Sequence, residues 1–320
     1  MMAQSDLMTR LNNGELLILD GGTGTELEHL GAPMHSGVWC GAANGSHPHL
    51  VRQVHERYIA AGVDIITTNT YASGREALAK SNLEAHFEDW NKTAVSLAME
   101  AREKTAVDRP IYIAGSIAPY DNWAKYDINA MRAAYDEQSQ LLAEGGVDFL
   151  LLEMLGTGVE NSVVAIEEAA KTGLPIWVSL SCLDHPTTGE IFLGAREESE
   201  VLPDEPEIQP YEPFKGSYEP FGPAIDKIMA AGGSVLSVMH SEIRVMESAL
   251  QVARERWSGP IGAYPNSGHW ERPNWAFKAN VSADFYAQEA QKWVAAGAQV
   301  VGGCCGVGQH HIQAMTDALR

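Results

Sequence analysis

A short apolar run followed by a longer segment with helical periodicity recurs eight times along this chain, and this repeat limits the fold more than any other feature. The eight runs span residues 16–20, 63–69, 111–116, 147–154, 176–181, 234–239, 260–264 and 299–303. Runs that are apolar throughout are typical of strands covered on both faces of a sheet. Helical periodicity is clearest in residues 49–61, 132–144, 160–171, 243–255 and 285–296.

Glycine follows a predicted helix at five places along the chain, at residues 62, 146, 173, 232 and 297. A glycine in this position takes the left-handed conformation that ends a helix. Eight strand–helix units predict an α/β fold, a (β/α)8 TIM barrel built as a single domain over residues 1–320. A doubly wound open sheet is the alternative, but residues 22–27 lack the third glycine of its phosphate-binding fingerprint.

One segment interrupts the repeat. Residues 184–223 are acidic and proline-rich, with little periodicity. They follow the fifth predicted strand, on the side of the barrel where enzymes of this fold carry their active sites. We interpret them as an excursion that forms a surface loop, a lid or a contact in a homo-oligomer, and the sequence does not decide among these.

The charge and composition of the chain argue against several classes of binding partner. The chain has 22 Lys and Arg against 42 Asp and Glu, a formal net charge of −20, which disfavours nucleic acid and anionic membrane surfaces. Its sequence contains no apolar stretch near the roughly 20 residues that span a bilayer, and its first residues lack the apolar run of a secretory signal. Four cysteines are too few for a disulfide scaffold. We therefore expect a cytoplasmic protein that acts on small molecules.

Cysteine and histidine stand at two of the predicted strand ends. Cys304 and Cys305 lie in a glycine-rich turn after the last strand, and His240 ends the sixth. Neighbouring side chains of a strand point to opposite faces, so two adjacent cysteines serve one site only where the chain turns. These three residues predict a Zn²⁺ site with one open position. A vicinal disulfide, a pair of buried thiols, and Cys182 as the third ligand are the alternatives, whereas we expect Cys40 to pack in the core.

Several longer motifs point to one family. They are LLILDGGTGTEL, VWCGAANGSHPHLVRQVHERYIAAGVDIITTNTYASG, AGSIAPY, DFLLLEM and VVGGCCG, and together they extend over nearly the whole chain. In these motifs the sequence resembles the homocysteine S-methyltransferase family. The resemblance implies a zinc-containing TIM barrel whose metal is held by three cysteines. Cys304 and Cys305 match two of them, but Met239-His240 stands where the family has Asn-Cys. We expect His240 to replace the missing thiolate.

The resemblance also implies a reaction and a set of site residues. The reaction is transfer of a methyl group from a cationic sulfonium or ammonium donor to a thiol such as homocysteine, giving methionine. Its implied catalytic residues are Glu153 and Asn69, and its implied substrate-binding residues are Asp20, Gly21, Gly22, Thr23, Thr68, Asn69, Thr70 and Glu153. Met154 follows Glu153 where the family often has Thr. The alternative is a zinc-binding barrel in which replacement of Asn-Cys has abolished or changed this activity.

Overall fold

A computed structural model describes residues 2–119, 127–156, 158–185, 187–194, 219–271, 276–278 and 281–320. Within these ranges there are twelve strands. They are β1 (Leu17–Ile18), β2 (Ile65–Thr67), β3 (Tyr112–Ile117), β4 (Phe149–Leu152), β5 (Ile176–Leu180), β6 (Cys182–Asp184), β7 (Ile191–Leu193), β8 (Val235–Glu242), β9 (Ile261–Asn266), β10 (His269–Glu271), β11 (Ala276–Lys278) and β12 (Val300–Val301).

Eight of the described strands form one parallel sheet in the order β1-β12-β9-β8-β5-β4-β3-β2. A parallel bridge between Leu19 and Ile65 joins the two end strands and closes the barrel. All eight predicted strands are present, so the TIM barrel is confirmed and the open-sheet alternative is wrong. The first and last barrel strands span two residues each, and a glycine-rich segment begins within three residues of the end of each.

Twelve α-helices lie in the described residues. They are α1 (Met2–Asn12), α2 (Thr23–His29), α3 (Ala43–Ser46), α4 (Pro48–Ala60), α5 (Arg75–Lys80), α6 (Phe87–Lys104), α7 (Ile128–Gly145), α8 (Val159–Ala170), α9 (Phe221–Met229), α10 (Met246–Arg256), α11 (Ala283–Ala295) and α12 (Gln309–Leu319). The five predicted helical segments correspond to α4, α7, α8, α10 and α11. Each glycine predicted to follow a helix has a positive φ, between 74° and 140°. No helix in the described ranges is long and apolar enough to cross a membrane.

Two antiparallel hairpins follow barrel strands on the carboxyl-terminal side. The first pairs β6 with β7 after β5, and the second pairs β10 with β11 after β9. Arg244 holds the first hairpin by donating to both carboxylate oxygens of Asp184. This hairpin is the start of the predicted excursion over 184–223. Residues 195–218 of that excursion lie outside the described residues.

The barrel interior is closed at its amino-terminal end by α1, which the sequence pattern did not assign. Leu7 and Leu11 are at most 1% exposed and pack in one cluster with inward-facing strand residues. In that cluster the rings of Phe149 and Trp177 contact each other with their centroids 4.1 Å apart and their planes tilted by 31°. Among the described residues, α1 therefore covers the amino-terminal opening of the barrel interior.

A histidine on α4 is buried without hydrogen bonds. His55 is fully buried, and neither ring nitrogen has a partner among the described residues. Burial lowers the pKa of His55 to about 4, because the charged imidazolium would lose its hydration. His49 lies on the same helix and is exposed.

We predict that His55 makes the fold sensitive to acid. Because the folded-state pKa lies below the unfolded value of about 6.5, the unfolded chain binds more protons between these two pH values. The free energy of unfolding should therefore fall by about 3 kcal/mol more between pH 7 and pH 4 in the parent protein than in His55→Leu. Urea unfolding at both pH values measures this difference. His49→Gln is the control and should behave as the parent; equal pH dependence in His55→Leu would contradict the prediction.

Candidate metal centre and substrate site

A β-bulge at the end of β8 places His240. Met239 pairs with Tyr264 and Glu242 with Asn266, so β8 carries one residue more than β9 across this interval. His240 lies in the bulge with a φ of 45°, a left-handed conformation that histidine adopts more readily than most residues. Bulges redirect a side chain away from the regular alternation of a strand. Here the bulge directs the imidazole towards the turn after β12.

That turn carries Cys304 and Cys305 and is held by backbone hydrogen bonds. The Cys304 amide donates to the Pro265 carbonyl at 3.0 Å, and the Cys305 amide donates to Asn266 Oδ1 at 3.1 Å. A Cβ on Gly303 would lie 2.1 Å from the Val307 side chain, so only glycine fits there. Both cysteines are thus fixed against the end of β9, next to the bulge.

The three predicted metal-binding side chains converge. Cys304 Sγ lies 3.6 Å and Cys305 Sγ 3.8 Å from His240 Nδ1, and the two sulfurs are 3.8 Å apart. Among the described residues, this is the one group of three or more His, Cys, Asp or Glu side chains arranged to hold a metal ion. Two sulfurs and one imidazole nitrogen suit a divalent transition metal.

The structure also shows the bonding state of the cysteines and the positions of Cys182 and Cys40. None of the four cysteines forms a disulfide, so the vicinal disulfide between Cys304 and Cys305 is absent from this structure. Cys182 lies beside Ser241, with 3.5 Å between Sγ and the hydroxyl oxygen, and is not part of the three-residue group. Cys40 is 2% exposed and belongs to the hydrophobic core, as expected. Burial raises the pKa of both Cys40 and Cys182 to about 12, which keeps these two thiols protonated.

Glu153 follows β4 and is 9% exposed at the top of the barrel interior. The Ser116 hydroxyl donates a hydrogen bond to its carboxylate. Burial raises the pKa of Glu153 to about 7; the Ser116 hydrogen bond opposes this shift, while the charge of Cys305 adds to it. A buried carboxylate at this place can bind a cationic group of a substrate.

Asp20 follows β1 and is 2% exposed. Its carboxylate accepts hydrogen bonds from the Thr67 amide at 2.7 Å and the Thr67 hydroxyl at 2.8 Å. Burial raises the pKa of Asp20 to about 7, against the effect of these two bonds. Asp20 thereby joins the end of β1 to the end of β2, next to Glu153.

Gly21, Gly22 and Thr23 form the turn from Asp20 into α2. A Cβ on Gly21 would lie 2.1 Å from the Val307 carbonyl oxygen, and one on Gly22 would lie 2.6 Å from the Cys304 carbonyl oxygen. The two glycines therefore allow the turn after β1 to approach the cysteine turn, and Thr23 begins α2.

The three residues after Thr67 form hydrogen bonds within the protein. The Thr68 and Thr70 hydroxyls are 2.8 Å apart, and both bond to the backbone of Ser116. Asn69 Nδ2 donates to the Cys40 carbonyl and to Asn44 Oδ1, each at 3.0 Å. All three residues are at most 3% exposed. The side chains of the predicted site residues Thr68, Asn69 and Thr70 thus form hydrogen bonds with the protein segments that surround the site.

Ser116 was given no role from the sequence, and Met154 was identified there only as the residue that replaces a threonine of the family. Ser116 lies in the AGSIAPY motif, whose position at a strand end was the available signal. Met154 has a φ of 54°, and its sulfur accepts a hydrogen bond of 2.8 Å from the Tyr71 hydroxyl. Tyr71 packs edge-on against Trp39, with ring centroids 6.4 Å apart. These side chains form an aromatic and thioether wall beside Glu153.

Comparisons with known proteins identify the family of this chain. A family model described as homocysteine S-methyltransferase matches residues 17–202 and 220–319. Homocysteine S-methyltransferase 1 of Zea mays is 27% identical, over 98% of this chain and 97% of that protein. Homocysteine S-methyltransferase YbgG of Bacillus subtilis is 28% identical, over 95% of this chain and 94% of that protein.

The fold is also similar to a solved structure. The homocysteine methyltransferase MmuM of Escherichia coli, in its metallated form, has a TM-score of 0.74 and 22% identity, covering 97% of this chain and 99% of that one. The family resemblance predicted from the sequence motifs is confirmed by the match to the family model. This chain therefore belongs to the homocysteine S-methyltransferase family and is a methyltransferase.

Proposed function

We propose that this methyltransferase depends on zinc and moves a methyl group from a cationic sulfonium or ammonium donor to a thiol such as homocysteine, giving methionine. The convergence of His240, Cys304 and Cys305 is the observation that carries the proposal. Family membership supports the reaction, since related proteins are named for homocysteine as acceptor.

The donor triangle fits zinc. With Zn–S bonds of about 2.3 Å and Zn–N bonds of about 2.0–2.1 Å, tetrahedral angles give about 3.8 Å between two sulfurs and about 3.6 Å between sulfur and nitrogen. The corresponding distances here are 3.8 Å between Cys304 and Cys305, and 3.6 and 3.8 Å to His240 Nδ1. We infer that these three atoms would hold the zinc ion, which would leave one position open for the substrate thiol.

A zinc ion held by these residues would activate the acceptor thiol. A zinc ion lowers the pKa of a thiol that coordinates it, so that the sulfur is a thiolate at neutral pH. Both cysteines must be reduced to bind the metal, which supports the prediction of a reducing, cytoplasmic setting. The interaction with Cys305 raises the pKa of Cys304 well above its usual value.

The remaining residues would orient the two substrates. Glu153 would accept hydrogen bonds from the ammonium group of the acceptor, and the turn from Asp20 to Thr23 would contact the acceptor through its backbone. We retain Asn69 as a proposed site residue that acts by stabilising the backbone around the site, because its side-chain amide donates hydrogen bonds to the Cys40 carbonyl and to Asn44 Oδ1. The attacking thiolate forms a carbon–sulfur bond as the donor releases its methyl group and leaves as a neutral thioether or amine.

The cationic donor would lie against the wall formed by Trp39, Tyr71 and Met154. Aromatic faces attract sulfonium and quaternary ammonium groups, and this attraction is stronger where water is excluded. Glu153 lies on the neighbouring side, and its charge adds to the attraction when it is ionised. Transfer of the methyl group neutralises the donor, so this wall would bind the product of the donor less tightly than the donor itself.

We predict that zinc content follows the three ligands. Purified protein should hold about one zinc per chain, and His240→Ala or Cys304→Ser should lower zinc affinity by at least about a hundredfold. Plasma emission spectroscopy and chelator competition measure this. Cys40→Ala removes a core thiol and should keep the zinc.

A screen of sulfonium and ammonium donors against several thiols should give methylated thiol only with zinc present. Full zinc content without any methyl transfer would instead support the barrel that has lost its activity.

Glu153→Gln tests recognition of the acceptor. Loss of the carboxylate charge should raise KM for homocysteine by about tenfold to a hundredfold, because a hydrogen bond to a charged group contributes about 1.5–3 kcal/mol. The KM for a mercapto acid of equal length without an amino group should change by less than about twofold. Steady-state kinetics with both thiols measures this. An equal rise of KM for both thiols would contradict the assigned role.

His240→Cys tests whether the imidazole sets substrate choice. With two thiolates and a neutral imidazole, Zn²⁺ gives a centre of net charge 0, against −1 with three thiolates. A less negative centre acidifies a bound thiol more but leaves its sulfur a weaker nucleophile. We therefore expect His240→Cys to change zinc affinity and the relative rates with different thiols and donors. Unchanged affinity and rate profile would show that His240 has no such effect.

A further inference from the structure

Ser116 is the inward-facing residue of β3 that contacts Glu153. It is fully buried, and its hydroxyl donates to Glu153 Oε2. The β3–β4 pairing continues to this level, with Ser116 opposite Leu151 and the Glu153 amide donating to the Ile117 carbonyl. On this side the position of Ser116 is therefore fixed by regular sheet pairing.

On its other side Ser116 is held by hydroxyls where the backbone pairing stops. The pairing of β2 with β3 ends at Thr67 opposite Ala114. Beyond that point the Ser116 amide donates to Thr68 Oγ1 at 3.1 Å, and the Ser116 carbonyl accepts from Thr70 Oγ1 at 2.6 Å. Two threonine side chains thus replace the backbone partners that β2 no longer supplies.

The direction of these hydrogen bonds follows from the number of protons. Thr70 has a single hydroxyl proton and donates it to the Ser116 carbonyl. The 2.8 Å contact between the two threonine hydroxyls must then use the proton of Thr68. The bonds therefore run from the Ser116 amide to Thr68, from Thr68 to Thr70, and from Thr70 back to Ser116. In such a closed chain each bond polarises the next.

Buried amide side chains form further hydrogen bonds that hold the backbone of Thr70. The Gln138 side chain donates to the Thr70 carbonyl and to Asn91 Oδ1, each at 3.1 Å. Asn91 in turn donates to the Ser73 carbonyl at 2.9 Å. Gln138 and Asn91 lie on α7 and α6 and are at most 4% exposed, so this support is sequestered from water.

We propose that Ser116 is a positioning residue for Glu153, and that the hydroxyls of Thr68 and Thr70 hold Ser116 in place. The inference rests on the proposed function, in which Glu153 binds the ammonium group of the acceptor thiol. A carboxylate held by a fixed donor presents its second oxygen to the substrate in one orientation. In this assignment Thr68 and Thr70 do not contact the substrate. They fix the position of Ser116, which in turn orients Glu153.

The test compares two thiols in three variants. Ser116→Ala should raise KM for homocysteine about tenfold, with kcat within about twofold, and leave KM for the mercapto acid without an amino group nearly unchanged. Thr70→Val, which removes the hydroxyl at constant volume, should act in the same direction. Thr70→Ser keeps the hydroxyl and should restore the parent KM. The proposal would be overturned if Ser116→Ala and Thr70→Val raised KM equally for both thiols. It would also be overturned if neither variant changed KM for homocysteine.

Two further variants separate the possible failures. Tyr112→Phe removes a buried hydroxyl at the opposite end of the barrel, where it bonds to Asp6, and should leave both KM values unchanged. In a Glu153→Gln background, Ser116→Ala should add no further loss. If Glu153→Gln keeps the preference for the ammonium-bearing thiol, the proposed function of Glu153 is wrong. If Glu153→Gln abolishes that preference while Ser116→Ala and Thr70→Val retain it, only the role of Ser116 is wrong.

Discussion

The close approach of two glycine-rich turns, one after β1 and one after β12, determines where the thiols of this protein lie. The Gly303 amide donates to the Asp20 carbonyl at 2.9 Å, and the Gly22 amide donates to the Val307 carbonyl at 3.0 Å. A side chain at residue 22 would collide with the Cys304 carbonyl. Because the two turns hold each other, the cysteine pair has a fixed distance to the acidic rim formed by Asp20 and Glu153.

Most polar side chains at this rim stabilise its geometry. Asp20 bonds to Thr67, Asn69 bonds to Cys40 and Asn44, and the hydroxyls of Thr68 and Thr70 bond to the Ser116 backbone. Parallel strands of unequal length leave backbone groups unpaired where the shorter strand ends, and buried groups of this kind need partners. The polar residues after β2 meet that need. A motif shared with a family can therefore mark the frame of a site as well as its contacts with substrate.

The sequence was sufficient to predict the barrel, its eight strands and the meeting of His240 with the cysteine pair. These features depend on local patterns, namely apolar runs, glycine after helices and polar residues at strand ends. The packing of α1 under the barrel and the hydrogen bonds of Ser116 depend on contacts between distant segments and on strand register, which no local pattern reports. The bulge at His240 also went unpredicted, because its extra residue is recognisable only when β8 is paired with β9.

The bulge and the imidazole belong to one electrostatic arrangement. Glu153 is buried near the cysteine pair, and the negative charge of Cys305 raises its pKa, whereas His240 lowers it. A zinc centre with three thiolates would carry −1 and oppose ionisation of this carboxylate, whereas the proposed centre with His240 is neutral. Under the proposed function, imidazole in place of one thiolate would make the coordinated sulfur a weaker nucleophile and would favour the ionised form of Glu153, which is proposed to bind a cationic substrate group. The left-handed backbone of the bulge makes this exchange geometrically feasible, since it directs Nδ1 towards the two sulfurs.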